Sequence, residues 1–365
     1  MSRSSRYFLY VTILFNFLLF LSYFSYLINP EKIIVISLLG LTYPLLVILN
    51  IFFFFFWLFK KNLFFLSSLL VLMAGYYHHS RFIQLSLLPY KAMENEDHFK
   101  IMSYNVRLFD LYNWTDNKKA RDHIIDQIKE EKPDIICFQE YYYSRKNDFK
   151  TRELIIKDLD MPYYYESFTD SSNKNTSFFG LATFSKYPII NNKDINFKND
   201  NANKCIWSDI LIKKDTFRVY NSHVGSIRFN YSDYNVLGGK GSPLWPHQKR
   251  PEQQILKRLK LGFKKRAVQL KQLLPIILKS PYNVVICSDL NDTPISYAYH
   301  CFDRYFTDAF TTSGNGIGGS YIGNIPGLRI DYIWHSKKLN SSAFTTHHEK
   351  LSDHKAISAV IHYPK

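Results

Sequence analysis

Acid is what this chain most lacks. In 365 residues, 31 Asp and Glu stand against 46 Lys and Arg, a formal net charge of +15. Residues 1–99 carry seven Lys/Arg and four Asp/Glu, which leaves 39 and 27, a net of +12, for residues 100–365. Such a balance excludes a surface built for basic partners and fits an anionic one, nucleic acid or an acidic membrane surface, without choosing between them. Cysteine is also scarce: Cys137, Cys205, Cys287 and Cys301 form no CxxC pair, and two of them lie in apolar runs. They read as buried thiols, not as a disulfide framework or a zinc site. No repeat of about 20 to 50 residues is present, which excludes a solenoid or propeller. Gly238-Gly239-Lys240-Gly241 has no Ser/Thr-capped helix after it, which excludes a P-loop.

Charge is missing altogether from residues 7–29 and 33–59, each longer than the roughly 20 residues that cross a bilayer. A shorter apolar stretch follows at 62–79. These predict an N-terminal anchor over residues 1–90, with two or three transmembrane helices. The first run is longer than a signal-peptide core, no small-x-small site follows it, and a second run comes directly after, so cleavage is not expected. Arg3, Arg6, Lys60 and Lys61 flank the spans. By the positive-inside rule three crossings put the remainder outside a bacterial cytoplasmic (inner) membrane, in a multi-pass topology, and two crossings would put it inside.

After a linker over 91–98, residues 99–365 alternate strand-like and helix-like patterns. Strands are predicted near 100–106, 134–139, 163–168, 178–184, 205–212, 217–222, 283–288, 329–334 and 356–362, and helices near 118–131, 153–159 and 261–274. So many strands with so few helices argue for α/β (α+β) architecture with paired sheets, not one open doubly wound sheet. The Gly-rich segment 311–327 is expected to be a surface loop.

Several short pieces place metal-binding or proton-transferring side chains at strand ends. They are Asn105, Gln139-Glu140, His223, Asp289-Leu290-Asn291, Arg329-Ile330-Asp331-Tyr332-Ile333 and Ser352-Asp353-His354, with Phe184-Ser185-Lys186-Tyr187-Pro188-Ile189 between the second and third. Taken in order over roughly residues 99–363, they resemble the endonuclease/exonuclease/phosphatase superfamily, which includes DNase I-like nucleases, abasic-site endonucleases, neutral sphingomyelinases and inositol polyphosphate 5-phosphatases. The resemblance implies a four-layer α-β-β-α sandwich of two mixed β-sheets. It also implies divalent-metal-dependent hydrolysis of phosphate esters with Mg²⁺ or Mn²⁺ as cofactor.

On that resemblance Glu140 is the metal ligand, with Asn105 and Asp353 in or beside the metal site. A hard divalent ion takes oxygen ligands and few protein carboxylates. His354 oriented by Asp331, or alternatively Asp289, handles the attacking water; Asn291 and His223 hydrogen-bond the phosphate. Two departures stand out. Ser288 replaces the Gly that many relatives carry, so the backbone there need not be left-handed. His223 replaces the Tyr of abasic-site endonucleases, which leans away from DNA repair.

Arg228, Lys249 and Arg250 are weaker substrate-binding candidates, the last two at the start of the basic stretch Lys249 to Arg266, which is either a solvated helix face or a phosphate grip. The Tyr runs at 141–143 and 163–165 are either core or base-stacking platforms. Nucleic acid is the first expected substrate and phospholipid, sphingomyelin or an inositol-phosphate-type compound the second; a non-catalytic anchored binding module is the alternative of another class. No protein partner is inferable.

Overall fold

The computed structural model describes residues 3–85, 96–146, 149–171, 176–198, 200–226, 251–323 and 327–364. The charge-poor N-terminal part folds as α1 (Arg3–Tyr23), α2 (Ile34–Leu41), α3 (Tyr43–Phe59), α4 (Phe65–Ala74), α5 (Tyr76–His79) and the short strand β1 (Ile83–Gln84). Chains with few polar side chains satisfy their backbone internally, and helix does this within one segment. α1 and α3 run antiparallel: Phe8 stacks on Phe56 at 4.6 Å, and Tyr23 meets Tyr43 at 6.1 Å.

Among the described residues one helix, Ser5–Tyr26, is long and apolar enough to cross a membrane, or two if α2 and α3, bent by 62°, count as one span. The bend falls at Thr42, next to Pro44, whose ring bars a preceding helical turn from continuing. The stretch expected as a third span, 62–79, forms two helices of 10 and 4 residues that meet at Gly75.

Beyond β1 the chain continues through β2 (Glu96–Asn105), α6 (Ala120–Glu131), β3 (Ile135–Ser144), α7 (Thr151–Asp158), β4 (Tyr163–Ser171), β5 (Ser177–Ser185), β6 (Ile189–Phe197), β7 (Asp200–Ile212) and β8 (Asp215–His223). Then come α8 (Pro251–Leu278), β9 (Asn283–Asp289), α9 (Tyr297–Asp303), β10 (Phe306–Asp308), α10 (Ala309–Ser313), β11 (Gly316–Ile317), β12 (Asp331–Ser336), β13 (Asn340–Thr346) and β14 (Ile357–Pro364). Two six-stranded sheets result, ordered β10-β12-β9-β8-β7-β6 and β13-β14-β2-β3-β5-β4. Each is mixed, with one parallel pair: β8 with β9, and β2 with β3.

Their inner faces close on Phe99, Ile101, Ile135 and Cys137 from one sheet and Phe217, Val219, Val285 and Ile333 from the other. Ile124, Ile128 and Ile155 bring α6 and α7 onto one outer face. Leu270, Leu273 and Phe302 bring α8 and α9 onto the other. The four-layer expectation holds on this packing.

Two long strands have no counterpart in the sequence pattern. β6 and β13 lie at sheet edges, and Asn191, Asn192 and Lys193, like Asn340 and Ser341, erase the apolar alternation, as edge strands commonly do. The segment 311–327 is likewise more than a surface loop. It carries β11, which pairs antiparallel with β1, and Ser320 within it is fully buried.

Candidate active site

Strand register assembles the centre. In β8 and β9, His223 pairs with Asp289, and in β9 and β12, Asp289 pairs with Asp331. One row across three strands thus holds an imidazole and two carboxylates. Glu140 arrives differently. The β3/β5 ladder slips between Phe138 and Tyr141, and Glu140 there has φ 50°. A bulge with a left-handed residue re-aims a side chain, here out of the sheet toward His223, whose Nε2 is 3.9 Å from Glu140 Oε1.

Asp289 is the hub. Asn105 Nδ2 donates to its Oδ2 at 2.9 Å, the backbone N–H of Asn291 to its Oδ1 at 3.0 Å, and His223 Nε2 and His354 Nε2 stand 3.5 and 3.9 Å from Oδ2. Burial pushes its carboxyl up, with Asp331 adding to the push and His354 and His223 opposing it. His354 Nδ1 lies 2.9 Å from Asp331 Oδ2, so this nitrogen donates and Nε2 turns to Asp289. Burial pulls the His354 imidazole down, but Asp331 and Asp289 outweigh it, and its pKa lies well above the ordinary value.

Supporting contacts come from residues on several strands. Ser352 Oγ donates to the Asn105 carbonyl at 2.8 Å and ties the 352–354 turn to the end of β2. Gln139 Nε2 donates to Asn221 Oδ1 at 2.8 Å, and Asn221 Nδ2 to the carbonyls of Phe138 and Ala182, a buried amide pair that joins the two sheets below the site. Ser288 now has a reason. Its hydroxyl accepts from Ser222 Oγ at 2.7 Å across the parallel pair, and its backbone has no positive φ. Asn291 itself is left-handed, φ 53°, with Nδ2 on the Val224 carbonyl at 3.0 Å.

Glu140, His223, Asp289, Asn291, Asp353 and His354 open on a cavity of ≈ 550 Å³ that also takes in Arg107, Trp114, Phe179, Lys204 and Tyr321. None of the five carries a motif, so residue type alone did not mark them. Arg107 begins a run of four left-handed residues ending at Asp110, an arrangement that costs roughly 1–2 kcal/mol per residue. Asp110 secures the run by accepting from the Trp114 and Thr115 backbones and the Thr115 hydroxyl. Arg107 reaches Asp353 at 3.4 Å and stacks over Trp114 at 4.4 Å. Lys204 Nζ donates to Ser167 Oγ at 2.6 Å and meets Asp194 at 3.3 Å.

Carboxylates crowded in this way suit a hard cation. Asp289, Asp331 and His354 offer ligand atoms all within 4.8 Å of one another, and Asp331 Oδ1 is buried without a hydrogen-bond partner. Removal from water pushes the Glu140 carboxyl up, and Asp353 and Asp289 add to it while His223 opposes it. The carboxylate oxygens of Glu140, Asp289 and Asp353 on the cavity fit Mg²⁺ or Mn²⁺. Asn105 is already engaged, by Asp289 and by the Arg107 N–H at 3.1 Å, and Asp353 by Arg107.

Other sequence expectations fall elsewhere. Arg228, Lys249 and Arg250 lie outside the described residues. Tyr141, Tyr142 and Tyr143 are buried core, and residues 163–165 do not line the cavity. The 184–189 run is a turn at the far end of β3, where Ser185 pairs with Ile135. Arg266, the last residue of the basic stretch, is buried, whereas Lys257 and Lys264 are exposed.

A family model described as the Endonuclease/Exonuclease/phosphatase family matches residues 102–354, and one described as a domain of unknown function (DUF8431) matches residues 5–82. No curated protein matches the sequence. Among solved structures, an endonuclease/exonuclease/phosphatase from Beutenbergia cavernae is 15% identical with a TM-score of 0.53, over 73% of this chain and 72% of that one. The human Nocturnin catalytic domain with bound sulfate is 17% identical with a TM-score of 0.51, over 76% and 99%. A humanized D. rerio TDP2 is 17% identical with a TM-score of 0.51, over 72% and 98%. At these identities the likeness is one of fold.

Proposed function

Because the chain belongs to the endonuclease/exonuclease/phosphatase family, whose members hydrolyse phosphoester bonds, we propose that it is a divalent-metal-dependent phosphodiesterase held in a bilayer by its N-terminal bundle. The observation that carries the proposal is the convergence on Asp289: Asn105 at 2.9 Å, His223 at 3.5 Å and His354 at 3.9 Å, beside the cavity that also takes in Glu140.

Glu140 would hold the ion, Mg²⁺ or Mn²⁺, with Asn105 and Asp353 beside it, and a bound ion would draw charge from a phosphoryl oxygen and stabilise the leaving oxyanion. Asp289, with its carboxyl raised by burial, takes the proton of the attacking water. His354, kept protonated by Asp331 and Asp289, donates from Nε2 to a phosphoryl oxygen as charge builds there, and His223 does the same from the other side. Asn291 orients the phosphate without adding repulsion.

Nucleic acid is the first substrate reading, supported by the +12 balance of residues 100–365 and by Arg107 and Trp114 at the cavity wall. A phospholipid is the second, because the partly basic helix α8 packs against α2 of the bundle. The anchored, extracytoplasmic arrangement rests on the pole of the bundle that meets the sandwich: Tyr23 and Tyr43 are there, and Lys60 and Lys61 lie at the other end of α3. The full chain in detergent with Mg²⁺, offered plasmid DNA, RNA and labelled phospholipid, tests both. Turnover of lipid alone removes the nuclease reading, and turnover of none, with metal present, removes the enzyme. Reporter fusions after Lys61 and after Tyr90 test topology, with opposite sides expected.

A further inference from the structure

The two family models meet this chain as separate blocks, yet the structure joins them through three kinds of contact. The first is a strand pair. β1 pairs with β11 through Ile83 and Ile317, and the Gly318 N–H donates to the Phe82 carbonyl at 3.1 Å. The second is a buried ion pair. Arg81, 1% exposed, donates from Nη2 to Asp303 Oδ2 at 2.7 Å, and its guanidinium lies 4.0, 4.1 and 5.0 Å from the ring centres of Tyr26, Tyr77 and Tyr299. The Arg81 carbonyl in turn accepts from Arg329 Nη1 at 2.9 Å. A buried charge so placed is costly to strand, because its partner is left unpaired in a dry site.

The third contact reaches the catalytic loop. Ile295, 1% exposed, belongs to the apolar cluster of Leu19, Tyr23, Tyr43 and Leu46, all from the bundle. It follows Asn291 by four positions in the sequence. Between them Asp292 is fixed from the other side, by Arg266 Nε on Oδ2 at 2.9 Å and by the Tyr332 hydroxyl on its carbonyl at 2.8 Å. Arg266 also holds the Gly225 carbonyl, two residues beyond His223, at 3.0 Å. The loop that carries Asp289 and Asn291 is therefore clamped between α8 and the bundle.

We infer that the N-terminal bundle is a positioning element of the catalytic site: it docks on the sandwich as a fixed part of the fold and, through Ile295, sets the geometry of the 289–292 turn. A simple tether needs neither a strand pair nor a buried arginine nor a seat for Ile295. The inference rests on the phosphodiesterase reading for its kinetic readout only.

A protease site inserted between Leu85 and Glu96 of the full chain tests the docking. After cleavage in detergent the two fragments co-elute and keep the uncut rate; separation of the fragments with the rate unchanged overturns the inference. For the positioning role, Ile295→Ala lowers kcat about 10-fold with KM within about 2-fold, since small misplacements cost rate more than binding. Ile295→Val restores most of it, with rates normalised to folded protein by size exclusion. An unchanged kcat in Ile295→Ala overturns the role. Failure of the phosphodiesterase reading shows differently, as no turnover in the uncut wild-type chain, and the co-elution result then decides the docking by itself.

Discussion

The bundle and the sandwich differ most in what they leave exposed. Inside the bundle Thr12, Asn16, Asn50 and Ser68 are buried and hydrogen-bonded, Trp57 Nε1 to Thr12 Oγ1 at 2.8 Å and Asn16 Nδ2 to Ser67 Oγ at 3.0 Å, while Phe17, Ile48, Phe52 and Leu70 face outward. In the sandwich Phe99, Ile101 and Val285 are inside, and the exposed positions include Lys129, Lys213 and Lys264. A surface of apolar side chains, with buried polar groups paired to one another, suits surroundings that are themselves apolar. The contrast is the physical ground for the anchor proposed above. On that proposal burial works differently in each half: water expulsion in the sandwich, close packing and hydrogen bonds in the bundle.

The sharpest way to break the comparison is to remove the same kind of group from each half. Ile101→Ala, in the sheet interface, costs about 2–5 kcal/mol in urea unfolding of the full chain. A loss under about 1 kcal/mol would mean that the sandwich core is not sealed as described. Next in size is chemistry confined to one half. Glu140→Ala and His354→Ala each lower kcat at least about 100-fold, near 2.7 kcal/mol of barrier, through lost metal electrophilicity or proton transfer. Circular dichroism and detergent elution should stay at wild type; near-normal rates in both variants would dismiss the site.

A smaller effect depends on pH. Burial lowers the pKa of His335, His347, His300 and His362 in the sandwich. Depressed values mean that the unfolded chain binds more protons, so their share of stability is complete above about pH 6.5 and is lost as pH falls through the folded values. The unfolding midpoint should fall between pH 7 and 5, and His335→Gln should shallow the slope. A slope that His335→Gln leaves unchanged contradicts the burial of that ring. Smallest of all, Asn16→Ala in the bundle costs about 0.6 kcal/mol, the usual worth of a hydrogen bond between membrane helices. A loss as large as that of Ile101→Ala would show that the two interiors are not different in kind.

Much of the site was legible in residue order. Asn105, Glu140, His223, Asp289, Asp331 and His354 are chemically conspicuous residues at the ends of strand-like runs, and the ladders do bring them together. Arg107, Lys204 and Arg266 were not legible. A lysine in a polar strand or an arginine on a basic helix looks solvated until the packing buries it, as it does Arg266 and Lys204, 1% and 6% exposed. β6 and β13 escaped for a related reason: a sheet edge does not require alternation. The third apolar stretch reads as one run because composition registers hydrophobicity and not the junction at Gly75.

By itself the sequence determined the element types of most of the sandwich, the uncharged apolar runs at 7–29 and 33–59, and the candidate site residues, because periodicity, charge and functional chemistry are carried by local residue choice. Only the tertiary structure decided that Glu140 turns out of its sheet at a bulge, that Ser288 answers Ser222 across a parallel pair, that Arg81 ties the bundle to Asp303, and that Ile295 seats in the bundle's apolar cluster. Each of those depends on which distant segments share a desolvated contact, as Arg81 and Asp303 do at 2.7 Å across more than two hundred residues. No window of neighbouring residues encodes such a contact, since its energy exists only once both partners have left water.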